Sequence, residues 1–190
     1  MTALDPSAAE IRRLLDVLAL AVPPKSAAFV SGPLASGRRR YERLDAREVR
    51  AGNAREMEAF AAALRARLGR PVISPARFEV PTWRGRTYGE FFRAVIERFA
   101  REVWFMDGWE LSSGSVGELA TCTRLQIPRL DAEGNAIEHR TALRRCRRGL
   151  EVAVRSGVDH ASLRDAVGKL ERSLGEVGHR SRPPERPWNA

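Results

Sequence analysis

The stretch VWFMDGWELSSGSVGELA, residues 103–120, decides how the chain reads. It opens as a continuous apolar run through Met106, the pattern of a strand central to a parallel sheet and covered on both faces. Within a few residues it turns into glycines and serines. Ser115 and Glu118 then have capping-box spacing, which predicts a helix from there to about Leu125. A buried strand feeding a small-residue loop and then a helix is half of a β-α-β unit. The loop leaves its backbone N–H groups accessible, and a helix N-terminus favours a bound phosphate or carboxylate.

The same order recurs on both sides of this stretch. AAFVSG at 27–32 reads as a first buried strand closed by Gly-Pro, followed by a polar, arginine-rich loop. NAREMEAFAAALRARLG at 53–69 reads as a helix, with Asn53 as an N-cap type and Gly69 as its stop. PVIS makes a second strand, and residues 75–87 form a loop with two prolines and Trp83, long enough to fold over a site. Thr87 and Glu90 repeat the capping-box spacing before the helix YGEFFRAVIERFARE. IPRLDAEGNAIEH supplies a last strand and a turn at Gly134 and Asn135. Strands alternating with helices predict right-handed crossovers and a parallel sheet.

This divides the chain into an N-terminal helix within 1–25, an α/β domain over 26–139, a helical extension over 140–177, and a tail over 178–190. The N-terminal helix, residues 7–22, sets Ile11, Leu14, Leu15 and Leu18 on one side. The extension reads as two basic amphipathic helices parted near Gly157, an appendage to the domain. The tail, rich in proline and charge, has the composition of a disordered segment.

A length of 190 residues with 43% apolar content allows one sizeable core. No stretch approaches 18 uncharged apolar residues, and IRRLLDVLALAV contains Asp16, so a membrane span and a signal peptide are excluded and a cytoplasmic location is expected. Cys122 and Cys146 lack metal-ligand spacing and read as small buried apolar residues. His139, His160 and His179 share no such spacing and read as surface residues; no metal or cofactor is implied. Net charge is +9, and only Lys25 and Lys169 among 33 basic residues are lysine. Arginine forks pair well with phosphate, so an anionic partner is expected. Their scatter over helix faces, without interleaved aromatics after residue 140, weighs against nucleic acid.

In an open parallel sheet, ligands bind outside the carboxyl ends of the strands. Two loops leave such ends, Ser31-Gly32-Pro33 and Asp107 to Gly117. Glu118 then has two readings: the partner of Ser115 in a capping box, or a carboxylate kept ionised by the helix dipole and suited to attack an anomeric carbon. Asp107 either caps the turn at Gly108 or serves as an acid. Trp83 and Trp109 either stack a base or anchor their loops.

The order AFVSGPL, Asn53 and its helix to Gly69, PVISP, the Trp83 loop and VWFMDGWELSSGSVGELA resembles the nucleoside 2-deoxyribosyltransferase superfamily over roughly residues 26–130. The Gly-Trp and Ser-x-Gly spacing looks most like a bacterial and phage branch. Ser112-x-Gly114-x-x-x-Glu118 is also similar to the 2′-deoxynucleoside 5′-phosphate N-hydrolases. The resemblance implies a flavodoxin-like (Rossmann-like) sheet, cleavage of an N-glycosidic bond, and Glu118 as nucleophile. It implies substrate contacts from Gly32, Pro33, Asn53, Trp83, Trp109, Ser112, Gly114 and Ser115. Ser112 stands where the transferases carry an aspartate, which favours a nucleotide over a nucleoside, because a hydroxyl accommodates the phosphate that a carboxylate would repel. Phe29 stands where the family has an orienting tyrosine, and Arg93 and Ala94 lie where it has a base-contacting aspartate. Asp107 is the first choice for the missing acid, with Tyr88, Glu90 and Glu97 as others. A homo-oligomer, dimer or tetramer, is also implied, and Leu143, Leu150, Val154, Leu163, Leu170 and Leu174 offer apolar positions for its interface. The alternatives are a nucleotide-binding module without turnover and a nucleoside deoxyribosyltransferase.

Overall fold

The computed structural model describes residues 6–41 and 45–180. Four strands, β1 (Ala27–Ser31), β2 (Val72–Ile73), β3 (Ala100–Phe105) and β4 (Arg129–Leu130), form one all-parallel sheet in the order β2-β1-β3-β4. With its flanking helices this is a flavodoxin-like α/β fold.

The period-two alternation of β1 assigns its side chains to two cores. Ala28 and Val30 face α3 (Ala46–Leu68), whose Met57, Ala61 and Leu64 cover them together with Trp104. Ala27 and Phe29 face the opposite way, into a larger core shared with α4 (Gly85–Phe99) and α5 (Ser113–Leu125). The chain therefore leaves β1 toward one edge over one face, and reaches β3 and β4 over the other. The change of direction falls between β1 and β3, the switch point at which doubly wound sheets open a crevice.

The helix starts differ from expectation. Asn53 is not an N-cap: α3 begins seven residues earlier, capped by Asp45 in a capping box with Glu48, and ends at Gly69 as predicted. The polar, arginine-rich composition of this stretch hid its first two turns. Thr87 and Glu90 form no capping box either, because α4 starts at Gly85 and Glu90 pairs with Arg86 at 3.0 Å.

α1 (Pro6–Ala21) lies against α4 through Ile11, Leu14, Leu15 and Leu18. The C-terminal extension is helical, α6 (His139–Arg155) and α7 (Ala161–Arg180), yet it is integral to the fold. Cys146, Ala153, Leu163, Val167 and Leu170 belong to the main core. A Cβ on Gly149 would stand 2.5 Å from the Glu110 carbonyl oxygen, so glycine is what lets α6 seat on the segment after β3. Of the positions expected to be left for an oligomer interface, Leu163 and Leu170 are buried within the chain, Leu143 and Leu150 pack on its core, Val154 is exposed, and the side chain of Leu174 lies outside the described residues. The tail from residue 181 lies outside the described residues. Among the described residues no helix is long and apolar enough to cross a membrane.

Candidate functional site

A cleft opens at the carboxyl ends of β1 and β3, with Glu118 in its lining. Ser31, the last residue of β1, is fully buried and points to the same face as Phe29. Its hydroxyl donates to Glu118 Oε2 at 2.5 Å. This fixes the carboxyl group against the sheet and supplies, from the next position on that face, the hydroxyl that Phe29 lacks. Phe29 itself is a core residue, edge-on to Phe92 at 6.0 Å.

Ser112, not Ser115, is the N-cap of α5; its Oγ accepts from the Ser115 N–H at 3.4 Å. Glu118 thus sits past the first turn. It makes no capping box, and it lies beyond the reach of the helix-terminus charge that was expected to keep it ionised. Instead burial pushes its carboxyl up to about 8, opposed in part by the Ser31 bond. A carboxylate is costly in such surroundings, which favours the protonated form of Glu118. One turn on, burial and then the Glu118 charge push the Cys122 thiol up to about 12, and burial does the same for Cys146. Both cysteines are buried and inert.

Ser115 is buried, and its Oγ has no hydrogen-bond partner although it borders the cleft. With Gly114 exposed beside it, the first turn of α5 presents accessible N–H groups and one unsatisfied hydroxyl to whatever enters. On the facing side, a Cβ on Gly32 would lie 3.0 Å from Met106 Sδ, so the turn after β1 passes as close to β3 as glycine permits.

The cleft brings together Gly32, Trp83, Ser112, Gly114, Ser115 and Glu118. Four expected residues are not brought to it. Trp109 is fully buried, edge-on to Phe105 with the Arg145 guanidinium over its ring at 5.3 Å, and is an anchor beneath α6. Asp107 is exposed on the turn before Gly108, whose φ of +77° is left-handed, and it does not line the cleft. Asn53 acts at one remove: its amide donates to the Leu34 and Ser36 carbonyls at 3.0 and 2.8 Å, holding the loop after β1. Pro33 lies within that loop, while its neighbours line the cleft. Trp83 combines both of its readings. Its Nε1 donates to Glu10 at 2.7 Å and its ring packs on Tyr88 and Phe91, leaving an edge on the cleft.

Residue-type reasoning had no signal for Ser31 beyond a polar residue ending a buried strand. It also missed the cationic side chains that α5 and α7 contribute, Arg124, Lys169 and Arg172. His139, expected at the surface, is half-buried against Arg129, and burial followed by the Arg129 charge lowers its pKa. No three metal-ligating side chains converge among the described residues.

Fold and cleft define a doubly wound α/β protein with a glutamate of raised pKa at its switch point. No family model, curated protein or solved structure matches the chain.

Proposed function

We propose that the protein cleaves the N-glycosidic bond of a nucleoside 5′-monophosphate, with Glu118 as nucleophile. The observation that carries this reading is the pairing, in one cleft, of a carboxyl group held by Ser31 with an α5 N-terminus whose Ser115 hydroxyl is buried and unsatisfied. The first suits attack at C1′, the second a phosphate.

In the reaction, Glu118 loses its proton to solvent water and a carboxylate oxygen bonds to C1′. The C1′–N bond breaks, and its electron pair leaves with the base, which takes a proton from an acid. Water then attacks C1′, losing a proton to the conjugate base of that acid, which frees the sugar phosphate and returns the carboxylate. Asp107 does not line the cleft, and Glu90, one of whose carboxylate oxygens pairs with Arg86 at 3.0 Å, is our choice of acid. It lines the cleft and stands five residues into α4, as Glu118 stands five residues into α5. The Tyr88 hydroxyl is already engaged by the Val80 N–H and carbonyl at 2.8 and 3.2 Å.

The raised pKa of Glu118 favours a second reading, a nucleotide-binding module without turnover, because a neutral carboxylic acid is a poor nucleophile. One experiment separates the two. The protein is incubated with nucleosides and their monophosphates across a pH range and free base is followed by chromatography, with Glu118→Gln as control. Base release that grows toward pH ~8 and vanishes in the variant supports the enzyme. Binding by calorimetry without release at any pH supports the module. A cytoplasmic location accompanies either reading. A dimer or tetramer rests on the resemblance, since most of the apolar positions that suggested an interface pack within the chain; light scattering at micromolar concentration decides it.

A further inference from the structure

The cleft is larger than a mononucleotide requires. Its volume is about 1640 Å³, against roughly 300–1,000 Å³ for ordinary small-ligand pockets. Much of it follows α5 away from the sheet's carboxyl edge. α4 and α5 each leave a carboxyl end and return to an amino end of parallel strands, so they run in the same direction. α6 runs back against them: His139 in its first turn contacts Arg129 at the start of β4, and Gly149 meets Glu110 beyond the end of β3. α7 returns parallel to α5, tied to α6 by the Arg147–Glu171 pair at 2.8 Å. The exposed strip of α5 is therefore the floor of a groove walled by α4 and α7.

That floor is flat, made by Gly117, Ala120 and Thr121, and it ends at Arg124. Arg124 lies about 9 Å along the helix from Glu118 and about 13 Å from Ser115, at 1.5 Å per residue. To the same cleft α4 contributes Arg93, and α7 contributes Lys169 and Arg172. Besides Glu118 the acidic side chains of the lining are Glu90, paired with Arg86 at 3.0 Å, Glu97, and Asp165, paired with Lys169 at 2.7 Å. Arg93, Arg124 and Arg172 make no ion pair with any described residue, so the lining keeps an excess of positive charge.

We propose that the groove holds a single-stranded nucleic acid, with its terminal nucleotide at Glu118 and its phosphates running from the α5 N-terminus to Arg93, Arg124 and Arg172. The assignment of the terminal nucleotide rests on the N-glycosidase reading. A pyrophosphate is too short to join the two anion-binding ends, whereas phosphates of a stacked strand succeed each other every ~3.4 Å, so a few nucleotides span the gap. The aromatic side chains of the lining, Phe78, Trp83, Tyr88 and Phe92, come from α4 and the segment before it, and none comes from the α5 floor. The distal contacts are therefore with phosphate, and binding depends on chain length rather than distal sequence.

The test uses the full chain with a 5′-phosphorylated mononucleotide, a nucleoside triphosphate, and 5′-phosphorylated oligodeoxynucleotides of up to about six residues. Binding is followed by calorimetry and base release by chromatography. We expect oligonucleotides to bind at least ~10-fold more tightly than the mononucleotide, given the strength of charge-assisted contacts. Arg124→Ala with Arg172→Ala should remove most of that gain and lower the salt slope by about 1.4, at ~0.7 per phosphate contact on a single strand. Arg148→Ala, on the exposed side of α6 and outside the groove, should keep the gain. Equal affinities at all lengths, a gain intact in the double variant, a gain lost in Arg148→Ala, or the same increment from the triphosphate would overturn the proposal. Length-dependent binding through Arg124 and Arg172 without base release supports the groove and defeats the glycosidase reading alone. Base release from mononucleotides with no length dependence does the reverse.

Discussion

Replacing Glu118 with glutamine should make the protein more stable while abolishing base release, and the gain should depend on pH. The carboxyl group titrates near its ordinary value of 4.5 in the unfolded chain and at about 8 in the folded one. Below the first value both states carry the proton, and the site is neutral to stability. Between the two only the unfolded state releases it, so each pH unit shifts the balance toward unfolding by up to ~1.4 kcal/mol. Above the second both states are ionised and the slope vanishes. From about pH 5 to about pH 8 the wild type should lose roughly 3 kcal/mol relative to the glutamine variant. Glutamine keeps an acceptor for the Ser31 hydroxyl and cannot ionise, so it avoids the loss. Urea unfolding of both proteins at several pH values, followed by the fluorescence of the buried tryptophans, measures the difference. A variant that tracks the wild type in parallel at every pH, or that is the less stable of the two throughout, refutes the raised pKa and the burial that causes it.

The remaining expectations concern neighbours of that carboxyl group. Ser31→Ala removes the bond that lowers the Glu118 pKa, so the rising limb of activity should move above pH ~8 by about one to two units, at ~1.5–3 kcal/mol for a hydrogen bond to a charged group; the pH profile reads this, and threonine should restore it. Ser112→Asp keeps an N-cap residue at the start of α5 but sets a negative charge at the proposed phosphate site. Calorimetry should show nucleotide affinity falling roughly tenfold or more while nucleoside affinity stays put, and equal losses for both would remove the phosphate from the picture. Trp109→Ala should cost ~3–5 kcal/mol of stability as a core truncation, and denaturant titration should find this without a matching loss of ligand affinity in the protein that remains folded.

The alternation of strand and helix, the parallel sheet and the loop that opens into α5 were legible in the sequence, because periodicity and glycine or proline punctuation are local signals. Gly69 as a helix stop belongs to the same class, since a left-handed cap is a property of one residue and its neighbours. Local spacing also misled. Ser115 with Glu118 and Thr87 with Glu90 match a capping box, but where a helix begins depends on the neighbours that the chain meets after folding, and both helices start earlier than those pairs imply. Only the tertiary structure could decide the chemistry of Glu118. Burial in the folded chain raises its pKa, a hydroxyl 87 positions away in sequence opposes that rise, and no window along the chain contains both. The same holds for the groove: Arg93, Arg124 and Arg172 are scattered in sequence, and they share one surface because parallel β-strands oblige α4 and α5 to run side by side while α6 brings α7 back beside them.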